Sequence, residues 1–172
     1  MATPKHLARV PEVITLTPST YAMAAANTGY CGRFKAAGTR DIKSVWVNWQ
    51  TITAAGTITL TVEGIDLTTG DPDGSVNDAA ATVTAAPTAG WQNFAFASTP
   101  TTGLTDGTDY GVVLITATLG TAHTLNAHVN LSHVTSLPTT AATAADGTTR
   151  SNFAEVANCI PVMYLVYDDD SI

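Results

Sequence analysis

The densest set of oxygen donors in this chain is Asp66, Asp71, Asp73, Asn77 and Asp78. Calcium takes about six to eight oxygens and is often held by a loop of this kind. Asp71, Asp73 and Asp78 are therefore the candidate metal ligands. The run Asp71-Pro72-Asp73-Gly74 lacks the glutamate that closes an EF-hand loop. Turn geometry accounts for Pro72 and Gly74 without an ion. A solvated turn is the expected state. No cofactor is expected, calcium being the one ion the cluster would suit. Asp106 and Asp109 stand before a strand in the same way, and the same reasoning applies.

His123, His128 and His133 recur every five residues. An odd spacing in a strand sends neighbours to opposite faces, so the three cannot line one site. His128 shares a polar face with Asn126 and Asn130. On a symmetry axis such a stripe would suit an ion or ordered water. No nucleophile constellation stands out. Ser75 lies in Asp-Gly-Ser-Val rather than in a Gly-x-Ser-x-Gly elbow. Pairs of carboxylates for glycoside hydrolysis need a defined separation, and among 14 acids some pair meets it by chance. No enzymatic activity is expected. Trp46, Trp49 and Trp91 are the other chemistry-bearing residues. Trp46 alternates with Val45 and Val47, so it points away from the core. It is the best candidate for a subunit interface, where Trp is enriched, with a sugar-stacking platform as the second use. Trp49 shares the face of Val45 and Val47 and reads as core.

The elements that must position these residues are strands. Ile42 to Trp49 alternates, with Val45, Val47 and Trp49 on one face. Thr57 to Asp66 alternates again. Ile58, Leu60 and Val62 point one way, while Thr57, Thr59, Thr61 and Glu63 form a polar outer face. Val13 to Thr17, Gly29 to Ala36, Trp91 to Phe96, Tyr110 to Thr116, Leu125 to Val134 and Cys159 to Tyr167 complete the set of clear strands. Val76 to Thr84 is weak. Residues 135–149 read as a long loop, and Ala22 to Ala26 is the only stretch with a helical look. Clusters of Gly, Pro, Asp and Asn separate the strands. This spacing predicts a single all-β, antiparallel sandwich or barrel.

Composition sets the remaining bounds. The chain contains 31 Thr and 27 Ala, and only 12% of its residues are charged. Its formal net charge is −7, which disfavours a whole-surface nucleic-acid binder. No apolar run approaches the roughly 18 residues of a membrane span, so neither nucleic acid nor membrane is an expected partner. Charge is segregated. Lys5, Arg9, Arg33, Lys35, Arg40 and Lys43 fall in the first 43 residues, and positions 44–149 hold no Lys or Arg at all. Cys31 and Cys159 permit one disulfide, but two cysteines are no disulfide framework. The first residues lack the apolar stretch of a signal peptide.

The order of elements carries a resemblance. Tyr30-Cys31-Gly32-Arg33-Phe34 precedes Ile42-Lys43-Ser44-Val45-Trp46-Val47. Ile65-Asp66-Leu67-Thr68-Thr69-Gly70-Asp71-Pro72-Asp73-Gly74 follows, then Gly90-Trp91-Gln92-Asn93-Phe94. Leu104-Thr105-Asp106-Gly107-Thr108-Asp109-Tyr110-Gly111-Val112-Val113-Leu114 comes last. This resembles the jelly-roll β-sandwich modules of bacteriophage virion proteins, such as capsid decoration, head-fibre and tail proteins. Similar sandwiches occur in secreted carbohydrate-binding modules. The resemblance implies a jelly-roll-like sandwich over residues 29–167, an N-terminal arm with a short first strand over 1–28, and an acidic tail over 168–172. It further implies a structural, homo-oligomeric protein, favouring a trimer. Its partners would be other virion proteins, and its location the virion, assembled in the host cytoplasm. Trp46, Asn126, His128 and Asn130 would form the interface or ligand platform. The alternative is a carbohydrate-binding module or receptor-binding lectin, with a glycan as partner.

Overall fold

A computed structural model describes residues 18–53, 56–78, 80–97, 103–117, 123–130, 141–156 and 159–168. The chain order is β1 (Pro18–Met23), β2 (Gly29–Lys35), β3 (Asp41–Ile52), β4 (Ile58–Ile65), β5 (Pro72–Val76), β6 (Thr82–Ala85), β7 (Gly90–Ala95), β8 (Asp109–Thr116), β9 (His123–Asn130) and β10 (Ala141–Ala144). A 3-10 turn, Arg150–Asn152, precedes β11 (Ala154–Val156), β12 (Cys159–Pro161) and β13 (Met163–Asp168). No α-helix occurs among the described residues.

Two antiparallel sheets pack face to face. The first holds β1, β9, β3 and β7 in that order, with β12 and β13 added, and the second runs β11-β10-β2-β8-β4-β5, with β6 also on β4. β6 pairs with the first half of β4 and β5 with its last residues. Together they act as one broken edge strand. Counted so, strands one, eight, three and six make the first sheet, and two, seven, four and five the second. That is the jelly-roll order, two interleaved Greek keys. The expected all-β jelly-roll sandwich is the observed fold.

Alternation explains the core. Val45, Val47, Trp49, Phe94 and Leu125 from the first sheet meet Tyr30, Ile58, Leu60, Val62 and Leu114 from the second, all essentially without solvent contact. Burying such side chains contributes about 1.5–3 kcal/mol each. β8 is apolar on both faces for a reason. Tyr110, Val112 and Leu114 join the core between the sheets, while Val113 belongs to a separate buried cluster with Cys31, Ala142, Ala144 and Phe153.

That second cluster corrects two sequence expectations. The stretch 135–149 is not all loop, because Ala141–Ala144 is a strand paired to β2. Nor is the polar face of β4 solvated along its length. Thr61 and Glu63 are buried, because the chain after β10 places Arg150 on Glu63 and Phe153 in the cluster that covers this face. The alanine-rich stretch from Ala22 belongs to the end of β1 and the turn after it. Asn27 takes a left-handed conformation there, with φ 66°.

β1 lies in the stretch assigned to the arm, yet pairs along its whole length with β9. The last strand is also divided. β12 runs along the end of β9, the chain bends at Val162, and β13 runs along the first half of β3. β9 and β3 pair only at Trp49–Ile52, so the C-terminal strands fill the gap where the two part. The proposed first strand over 13–17, the rest of the arm before it, and the tail beyond Asp168 lie outside the described residues.

Candidate functional site

The outward face of the first sheet gathers the exposed aromatics. With Val45, Val47 and Trp49 inward, Trp46 and Asn48 must point outward. β13 places Tyr164 directly opposite Trp46, and β7 places Trp91 directly opposite Asn48. The Trp46 and Tyr164 rings stack with centroids 5.9 Å apart and planes 13° from parallel. Trp91 leans across β3 to within 5.3 Å of the same tyrosine, tilted by 50°. Trp91 and Tyr164 are each 48% exposed, and Trp46 is half-buried.

Polar neutral groups flank the rings. Asn126 donates from Nδ2 to Asn48 Oδ1 at 2.5 Å. Asn93 and Ala95 are exposed on β7, alternating with the buried Phe94. Trp46 and Asn126 therefore stand on the face expected of them. The side chains of His128 and Asn130 lie outside the described ones. Their backbones sit in β9 opposite Pro161 and Cys159. Tyr164 carries no weight in the sequence expectation, and Trp91 stands there only as one of three tryptophans, behind Trp46. Tyr164 alternates with Met163 and Leu165, and that signal was there to be read. The approach of Trp91 depends on strand order, which alternation does not supply.

The acidic loop behaves as a turn. Asp66, Asp73 and Asp78 each accept a backbone N–H two residues ahead, at 2.7, 2.7 and 2.8 Å. This is the local side-chain turn that favours Asp at such positions. Asp71 lies 3.5 Å from Arg33 Nη2. Asp71, Asp73 and Asp78 are thus occupied separately. Among the described residues no group of three or more His, Cys, Asp or Glu side chains could hold a metal ion.

The outer face of the second sheet carries the strongest electrostatics. Glu63 is fully buried and takes a two-pronged contact from Arg150, Nε to Oε2 at 2.8 Å and Nη2 to Oε1 at 2.6 Å. Thr61 Oγ1 donates to Oε1 at 2.5 Å, and Arg150 Nη1 donates to the Gly147 carbonyl. Nearby, Arg33 Nη1 donates to Glu155 Oε1 at 2.6 Å. The Cys31 thiol is free and buried on this face. Burial pushes its pKa up to about 12, so it is a protonated packing group rather than a nucleophile. The backbone of Cys159 lies in β12, opposite Asn130 of β9.

One buried polar pair belongs to the core. Trp49 and His123 meet edge to face at 6.3 Å. Trp49 Nε1 and His123 Nδ1 are both buried with no hydrogen-bond partner among the described residues. Burial holds the His123 pKa below its ordinary 6.5.

Comparisons with protein-family models, with curated proteins and with solved structures found no match.

Proposed function

We propose that this chain is a non-catalytic docking module, a structural component of a tailed-phage virion of the decoration, head-fibre or tail type. The observation that carries the reading is the edge formed by β7 in the jelly roll. β7 pairs with β3 on one side, and no described strand pairs with its other side. Its sequence, Gly-Trp-Gln-Asn-Phe-Ala, contains no charge and no proline. Those are the usual devices that keep a strand edge from pairing with another chain. An edge left plain in this way is suited to being covered in an assembly. The low charge of the chain agrees, since charged groups are depleted from interface cores.

Docking through edges uses backbone N–H and C=O groups, so the outward face of the sheet stays free. The partners are further copies of the chain and other virion proteins. The test is co-sedimentation. An antibody raised against the chain is used on density-banded particles of the phage whose genome encodes it. The reading expects the chain in the particle band at a fixed ratio to the major capsid protein. Its presence only in the soluble fraction would overturn the reading.

A further inference from the structure

We infer that the outward face of the first sheet, at Trp91, Tyr164 and the Asn48–Asn126 amide pair, is a binding site for a neutral glycan. The inference does not rest on the virion reading, because it concerns a side-chain face and not the strand edges.

The amide pair is the starting point. At 2.5 Å the contact between Asn126 Nδ2 and Asn48 Oδ1 must join one amide N–H₂ to one amide oxygen. Two N–H₂ groups or two oxygens would repel. The donor and acceptor roles of the two amides are interchangeable. Flipping both amides still leaves one N–H₂ and one oxygen unspent among the described residues. The pair therefore presents one donor group and one acceptor side by side, which is what two neighbouring sugar hydroxyls require.

The second element is position. Asn48 stands directly opposite Trp91 in the β3–β7 register. Directly opposed residues have Cβ atoms about 4.5–5.5 Å apart. A ring face and a donor–acceptor pair thus stand at neighbouring positions of one sheet face, the ring leaning to Tyr164 and the amides to β9. Sugars present an apolar C–H face to aromatic rings and a hydroxyl edge to amides. Trp91 and Tyr164, each 48% exposed, offer the first surface, and the amides meet the second.

The third element is charge. The side chains flanking the rings on β3 and β7 are Asn48, Asn93 and Ala95. None is a cation that would pair with a uronate or a sialate. A protein partner is the poorer occupant. It would cover the half-buried amides with surface that must match their unspent groups or leave them unsatisfied. Hydroxyls match them as water does.

The experiment is affinity electrophoresis of the full chain through gels containing laminarin, galactomannan or dextran, with alginate as the acidic comparison. At least one neutral polysaccharide should retard the chain, and alginate should not. Trp91→Ala and Asn48→Asp should each weaken retardation about fivefold or more. Thermal melts run beside the gels establish that both variants are folded. Asn126→Ala replaces Asn48→Asp if the latter unfolds. No retardation by any of the three neutral polymers overturns the proposal, as does retardation that survives the folded variants. Stronger retardation by alginate overturns it too. So does a fall in solution mass in Trp91→Ala, which would show that a second copy covers the face.

Discussion

His123 is the residue whose chemistry reaches the stability of the protein most directly. It sits in the core against Trp49, with no partner for Nδ1 among the described residues. Protonation there would place an unpaired charge in an apolar setting, which is why its pKa lies below the ordinary 6.5. In the unfolded chain the imidazole takes its proton near that ordinary value. Between the two values the unfolded state binds more protons, so stability rises with pH. The contribution of the neutral ring is intact above about 6.5 and is lost as pH falls below it. Urea unfolding at pH 7.5 and pH 5 measures this. The wild-type chain should lose up to about 2 kcal/mol more than a His123→Phe variant over that interval. Histidines elsewhere are common to both proteins and cancel in the comparison. Equal losses would show that the core imidazole does not couple folding to protons. The sequence placed His123 in a series with His128 and His133, yet its burial follows from sharing a face with Leu125, two residues on.

At the scale of elements, the segment from β10 to β11 matters most. It turns the outer face of the second sheet from a solvated surface into a second buried layer. Arg150 pins it there through Glu63. Removing one partner of such a pair strands the other charge in low dielectric. Arg150→Met should therefore cost about 3–5 kcal/mol. Glu63→Leu combined with Arg150→Met should recover most of that, because a packed apolar pair needs no compensating charge. Urea midpoints of the three proteins decide it. A single variant as stable as the wild type would mean that the segment is held by Phe153 and its apolar neighbours alone. The pairing was invisible in sequence for a physical reason. Alternation shows Glu63 on the polar face of β4 but says nothing of what arrives from 87 residues away. The Ala-Ala-Thr-Ala strand is equally silent, since small side chains carry no amphipathic signal. Where large β-branched and aromatic residues alternate with polar ones, as in β3 and β4, face and strand were both legible. The outward position of Trp46 followed from that pattern. The gathering of Tyr164 and Trp91 around it depended on strand order.

At the scale of the whole molecule, the described jelly roll leaves two kinds of surface uncovered by its own described strands. The β7 edge offers backbone groups, and the aromatic face beside it offers rings and amides. The two are orthogonal, so copies can join at edges and still display the face. The central claim is that this chain works as an assembled module rather than alone. Absolute mass by multi-angle light scattering, near neutral pH and over a hundredfold range of concentration, tests it most directly. The account predicts a stable homo-oligomer, a trimer or larger closed ring, whose mass does not drift on dilution. A monomer of 17.8 kDa at every concentration would contradict it.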